Sequence, residues 1–308
     1  MAVYDSAVQL AAGAPLLRLH KLSALYGCRT VIVAKLEYLN PAGSAKDREA
    51  VAMLLAAMNR GELAPGGAVV EAAGGNAAVS LAMACAALSL RATMVMPETA
   101  EPQIPRLVEA YGGRAELTPA QEGAEGARRR AAQLLEAIPG AFQPRPFEND
   151  DACQAYRQGA GPEILAQLPQ VDYLVAGVGS GAALTGCGEF IKSRCMDCRI
   201  IAAEPNESPV LSGGLPGAHS IRGLGAGFVP PILNTHLIDE VLRVRGPDAR
   251  ALCLDLCRSE GVLCGVASGA ALAAAVHVAC RPEAAGKTLV VLLPDGGERY
   301  LDPDLLPR

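Results

Sequence analysis

What most constrains this chain is a recurrence of short apolar runs with helix-like stretches between them. The runs are "VIVAKLE" (31–37), "GAVVEAA" (67–73), "ATMVMP" (92–97), "RAELTP" (114–119), "DYLVAGVG" (172–179), "RIIAAEP" (199–205) and "TLVVLLP" (288–294). Stretches such as Asp47–Arg60, Gln103–Tyr111, Ala124–Ala137 and Pro247–Ser259 carry apolar residues at helical spacing. Apolar strands alternating with helices predict parallel sheets covered on both faces, an α/β fold. Ligands in such sheets lie beyond the carboxyl ends of strands, where glycine turns enter helices. Four turns of this kind occur, around Gly43, Gly74–Gly75, Gly177–Gly181 and Gly296–Gly297. The Pro- and charge-dense stretch "FQPRPFEND" (142–150) marks an expected crossing from one domain to another.

A chain of 308 residues accommodates two modest domains or one large α/β unit. With a net charge of −5 and no basic stripe carrying aromatics, nucleic acid is not an expected partner. Residues 72–90 carry no charge, but they are rich in Ala and Gly, contain Asn76 and lie between two strand-like runs. They read as a buried helix, so no membrane contact is expected. The start "MAVYDSAVQL" lacks the basic and apolar regions of a signal peptide, and with ten cysteines this predicts reduced thiols and a cytoplasmic protein. Cys195 and Cys198 form a lone CxxC, Cys253 and Cys257 share a helical face, and the four histidines are scattered. No metal site is expected from them.

Three motifs carry chemistry. In "LEYLNPAGSAKDREA" (36–50), Lys46 follows a Pro-Ala-Gly-Ser turn at a helix start, where the dipole disfavours a cation. Such a lysine is either solvated or chemically employed, for instance in Schiff-base formation. In "LVAGVGSGAALTG" (174–186), strand, glycine turn and helix make a phosphate cradle. Gly177, Gly179 and Ala182 also satisfy the dinucleotide pattern, with Glu204 at the end of the next strand, so a NAD-dependent oxidoreductase is a rival from this motif alone. In "EAAGGNAAVS" (71–80), a strand turns into a helix mouth that offers, apart from Asn76, no hydroxyl before Ser80 and no cation.

"NPAGSAKDR" (40–48) resembles the lysine motif of the cysteine synthase, or O-acetylserine sulfhydrylase, family. The likeness runs nearly end to end. "APLLRLHKL", "MPETAEPQIPRLVEAYGGRAELT" (96–118), "GPEIL" (161–165), "AEPNESPVL" (203–211), "IRGLGAGFVP" (221–230), "GVASGAALAAAV" (265–276) and "PDGGERYL" (294–301) follow in family order. The resemblance implies a pyridoxal 5′-phosphate enzyme of fold type II, tryptophan-synthase-β-like. It has a smaller domain at 36–147, a larger one of 13–35 plus 148–308, an N-terminal arm at 1–12 and the cofactor between the domains. It further implies that Lys46 forms the internal aldimine and removes the substrate's α-proton. Asn76 would bond the cofactor's 3′-oxygen, and Gly179, Ser180, Gly181, Ala182 and Ala183 would hold its phosphate. A homodimer and a serine acetyltransferase-type partner are implied likewise.

The chain departs from the family pattern where the substrate binds. The family's T-S-G-N-T turn, which clasps the α-carboxylate, here reads Ala73-Gly74-Gly75-Asn76-Ala77. The glutamine that assists it aligns with Pro146, and Arg145 beside it is a possible stand-in. Losing two or three bonds to a charged group costs about 3–6 kcal/mol, a hundredfold or more in affinity. The phosphate loop's second threonine is Ala183, and the serine that faces the pyridine nitrogen aligns with Gly296. Some O-phosphoserine sulfhydrylases have Ala at that position and an arginine ahead of G-F-V-P, where this chain has Arg222 followed by Gly225. Resemblance therefore implies Arg222 and Gly225 as substrate contacts. The leading expectation is β-replacement on O-acetylserine or O-phosphoserine. The alternatives are a cofactor-binding pseudoenzyme with a regulatory role and a pyridoxal-phosphate enzyme acting on a different amino acid.

Overall fold

The computed structural model describes residues 3–301. Residues 1–2 of the expected arm and 302–308 of the expected larger domain lie outside the described residues. The strands are β1 (Leu16–Leu19), β2 (Ile32–Leu36), β3 (Ala68–Ala72), β4 (Arg91–Pro97), β5 (Arg114–Thr118), β6 (Tyr173–Gly177), β7 (Arg199–Pro205), β8 (Ile238–Val244) and β9 (Leu289–Leu293). The helices are α1 (His20–Leu25), α2 (Lys46–Arg60), α3 (Asn76–Ala87), α4 (Gln103–Ala110), α5 (Gly123–Ala137), α6 (Asp151–Ala155), α7 (Gly161–Gln167), α8 (Ala182–Lys192), α9 (Gly246–Glu260) and α10 (Val266–Ala279). They form two compact units. Of the described residues, one takes those up to Ala12 together with Asn40–Ala152, the other Gly13–Leu39 and those from Cys153 onward.

The first unit is built on the parallel sheet β3-β4-β5. Phe142 extends it beyond β3 through a bridge to Val69, with Val70 N–H donating to Phe142 and Phe142 N–H to Ala68. Side chains alternate across the strands. Val69, Met94 and Met96 face α2, α3 and α4, whereas Val70 and Val95 face Ala127, Ala131 and Leu134 of α5. α2 ends at Gly61, whose φ of 74° closes the last turn through its N–H to Ala57 and Met58. α3 is too short to cross a membrane, and no described helix is long and apolar enough to do so.

The second unit has a sheet of order β1-β2-β9-β6-β7-β8, parallel except for the antiparallel pair β1–β2. Its core unites Tyr173, Val175, Ile201, Ala203, Leu289, Val291 and Leu293 with α9 and α10. α8 packs against β6 and β7. Because β2, β9, β6 and β7 run the same way, the loops after β6 and β9 leave the sheet at one edge.

Three elements escape the sequence patterns. β1 is only four residues long, and β8 is a half-exposed edge strand that carries Asp239, Glu240 and Arg243. α10 shows no helical periodicity because nearly all of its circumference is buried. The fully buried Ile201 lies in the middle of the core. Ile201→Ala is expected to destabilise this unit by about 2–5 kcal/mol, read as a lower urea midpoint with the denaturant slope unchanged.

Candidate active site

Lys46 is the first residue of α2, directly after the turn at 40–45. The adjacent Asp47 explains how that turn is held. Its buried carboxylate accepts the Ala42 N–H at 2.7 Å and the Ser80 hydroxyl, and Ser80 in turn lies 3.3 Å from the Ser44 hydroxyl. The start of α2 is thereby tied to α3 four residues beyond Asn76. The Lys46 amine meets Glu49 at 2.7 and 3.0 Å.

Asn76 is the first residue of α3, and Ala73, Gly74 and Gly75 form the turn that leads into it from β3. Ala73 N–H donates to Val95, and Ala78 N–H to Gly75. The bareness of this turn is not forced by packing. A Cβ built on Gly74 makes only ordinary contacts, the nearest 3.5 Å from Met96, and one on Gly75 meets nothing. Beside the turn, buried Glu71 accepts the N–H groups of Ala72 (2.9 Å) and Arg145 (2.7 Å) and the Gln143 amide (3.3 Å). Burial pushes its carboxyl up, against the pull of those bonds and of Arg145. Arg145 adopts φ +50°, a conformation that costs a residue with a Cβ, and Glu71 holds it there.

In the second unit the loop after β6 carries Gly179, Ser180 and Gly181, and Ala182 and Ala183 open α8. A Cβ on Gly179 would stand 2.3 Å from the Gly223 carbonyl oxygen, so no side chain fits there. Gly181 takes φ +87° against Leu233, and Ser180 is buried. Gly225 belongs to the same neighbourhood, its N–H donating to Val178 at 3.0 Å. Val178, Gly179, Glu204, Ser208, Gly225 and Phe228 are among the residues lining a small, partly open recess. Arg222 is exposed on the segment that leads into Gly223.

Gly296 follows β9, which is paired with β6, and bridges to Cys264. The preceding Asp295 is buried and accepts the Ser268 hydroxyl at 2.7 Å and the Ser268 N–H at 3.2 Å. Burial pushes its carboxyl up, and the bonds from Ser268 and Tyr300 oppose the shift. Gly265 is obligatory beside it, since a Cβ there would fall 2.5 Å from the Asp295 carboxyl.

Glu204, which the dinucleotide reading needs at a ribose, is committed elsewhere. It accepts the N–H groups of Leu211 (2.8 Å) and Ser212 (3.2 Å) and the Ser212 hydroxyl. Cys195 and Cys198 are both buried, and burial pushes the Cys198 thiol up to about 12, the opposite of a reactive thiolate. Sequence reasoning missed Asp47, Glu71, Ser80 and Glu49. The detectable signal was a charge inside apolar surroundings, as Glu71 is in "VVEAA".

The family model described as pyridoxal-phosphate dependent enzyme matches residues 8–295. A cysteine synthase from Staphylococcus aureus (strain Mu50 / ATCC 700699) is 40% identical over 303 residues, 98% of this chain and 96% of that protein. The crystal structure of a cysteine synthase from Entamoeba histolytica superposes with a TM-score of 0.96 at 34% identity, covering 99% of this chain and 91% of that one. An O-ureido-L-serine synthase structure gives 0.93 at 34% identity, covering 99% and 95%. The chain therefore belongs to the pyridoxal-phosphate dependent enzyme family, with fold type II architecture. Pyridoxal 5′-phosphate is its cofactor.

Each unit holds residues that suit that group: an amine at Lys46 in the first, and in the second a turn where Gly179 has no room for a side chain, followed by the N-terminus of α8. Gly179→Ala is expected to weaken cofactor binding at least tenfold while the circular dichroism spectrum is retained, measured by titrating stripped protein with pyridoxal phosphate.

Proposed function

We propose that this enzyme replaces the β-substituent of an O-activated serine, O-acetylserine or O-phosphoserine, with sulfide to give cysteine. The observation that carries the reading is Lys46 at the first turn of α2, in a chain 40% identical to a cysteine synthase along nearly its whole length. When bound, the cofactor supplies the electron sink for charge that develops at the substrate's α-carbon. The protein's part is position and proton transfer. The Lys46 amine would anchor the cofactor and then take the α-proton, so its orientation is central to the reaction. Asn76 would donate to the cofactor's 3′-oxygen. The backbone of Gly179–Ala183 and the Ser180 hydroxyl would hold its phosphate, and Gly296 stands where the family's serine would face the ring nitrogen. The substrate's α-carboxylate is held by N–H groups of Ala73–Ala77. Gly225 lines the substrate site, and Arg222 supplies a guanidinium for a donor phosphate.

The residues divide the work by domain: the smaller, 36–147, carries the substrate turn, and the larger, 13–35 plus 148–308, the phosphate loop. The working form is a homodimer in the cytoplasm, with a serine acetyltransferase-type protein as a second partner. The ten cysteines, most of them buried, accord with a reducing location.

A second reading draws on the bare 73–77 turn: a different activated serine, or a cofactor-loaded regulatory protein without turnover. Likeness to an O-ureido-L-serine synthase supports the former. Cysteine formation from sulfide and each donor separates these readings. Turnover of O-acetylserine or O-phosphoserine is expected in the wild type, and Lys46→Ala is expected to abolish it together with covalent cofactor retention. A wild type that retains cofactor but turns over neither donor decides for the second reading. Ala73→Thr with Ala77→Thr is expected to tighten O-acetylserine binding by about tenfold or more, since each restored bond to the carboxylate is worth about 1.5–3 kcal/mol. An unchanged dissociation constant would show that the bare turn does not limit carboxylate binding.

A further inference from the structure

We infer that Cys28 and Cys280 form an oxidation site, at which a peroxide joins the two sulfurs in a disulfide that a thiol reductant reopens. The inference is independent of the reaction that the enzyme catalyses. Both residues belong to the second unit. Cys28 lies shortly beyond the end of α1, and Cys280 directly follows α10. Their sulfurs are 3.8 Å apart, although 252 positions separate them in sequence. Of the ten cysteines, Cys28, Cys257 and Cys280 are half-buried and the other seven are buried. Two of the three thiols that a small solute can reach therefore face each other. Cys195 and Cys198 are neighbours in sequence, but both are buried, which keeps an oxidant from them.

The backbone on both sides of the pair is fastened. Arg29 N–H donates to Ala279 at 2.7 Å, Cys28 N–H to Ser23 at 2.9 Å and Cys280 N–H to Val276 at 3.0 Å. The Tyr26 hydroxyl donates to Asp255 of α9 at 2.5 Å, and the Cys280 thiol reaches the Tyr26 carbonyl at 3.4 Å. While these bonds hold, a sulfur oxidised on one side meets its partner at a local concentration that a free thiol in solution does not approach. One thiol attacks the O–O bond of hydrogen peroxide, which gives a sulfenic acid and one water. The other thiol then displaces the sulfenic hydroxyl as a second water, and the S–S bond forms. The two thiols lose two electrons in all, and peroxide takes them up. Burial pushes the Cys28 thiol up to about 12, and its bond with Cys280 adds to the shift. The pair therefore reacts slowly, and it is selected by nearness and access, not by acidity.

The test treats the cofactor-loaded full chain with hydrogen peroxide, blocks the remaining thiols and maps the peptides without reductant. A linked Cys28–Cys280 peptide is expected, lighter than its two parts by two hydrogens and released by dithiothreitol, with Cys257 recovered unlinked. The bond closes a long loop in the unfolded chain. Oxidation is therefore expected to raise the urea midpoint of the wild type, and dithiothreitol to return it. Cys28→Ser and Cys280→Ser, treated alike, are expected to lose both the linked peptide and the rise. Treated wild type in which Cys28 and Cys280 are recovered as separate blocked thiols or separate sulfinic acids overturns the inference, as does a link from either to Cys257. That outcome is read from the wild type alone, so it stands even where a serine variant fails to fold.

Discussion

The carboxyl edge of the six-stranded sheet rests on a close approach of two backbones, Gly179 after β6 and the Gly223 carbonyl. A Cβ on Gly179 would come within 2.3 Å of that oxygen, far inside contact distance. The approach lets the 221–227 segment lie along the loop, where Gly225 N–H reaches Val178. It also leaves backbone rather than side chain at the entrance to α8, which a phosphate needs. The parallel pairing of β6 with β9 brings Asp295 and Gly296 to the same edge. There Gly265 yields its side-chain space to the buried Asp295 carboxyl. Glycine at Gly179 and Gly265 is a packing requirement.

The first unit solves a different problem, how to hold a lysine at a helix start against the dipole. Asp47 is the anchor. It ties the turn at 42–47 to α3 and so sets where α2 begins. Glu71 plays the corresponding part for the 143–145 segment, holding Arg145 in a left-handed conformation with its own carboxylate. Both acids accept backbone N–H groups, and Asp47 also accepts the Ser80 hydroxyl, which offsets part of the cost of burying them.

Most strands with strong apolar runs could be read from the sequence, since β-branched residues bounded by glycine or proline behave similarly in many contexts. β1 and β8 could not. One is short, and the other is an edge strand whose charged residues hide the alternation. α10 was invisible to periodicity because burial on nearly all sides removes the polar face that periodicity detects. Of the site, Lys46, the 73–77 turn and the 179–183 loop stood out through residue type and spacing. Asp47, Glu71 and Glu49 did not, because a carboxylate's partners lie across the fold or one helical turn away and leave no mark on its own position. The reading of Glu204 as a ribose ligand shows the converse. Its place at the end of β7 fitted the dinucleotide pattern, yet its oxygens accept from Leu211 and Ser212.

By itself the sequence determined the class of fold, the order of the motifs and the departures that strip the 73–77 turn, because all three are matters of residue identity and spacing along the chain. Tertiary structure alone decided that the bareness of that turn is not steric, since only packing shows that a Cβ on Gly74 or Gly75 has room. It alone decided that Gly179 must be glycine, since the obstructing oxygen belongs to Gly223, far along the chain. It also decided that the Lys46 amine meets a buried carboxylate, because burial is a property of the folded surroundings and not of the residue that bears the charge.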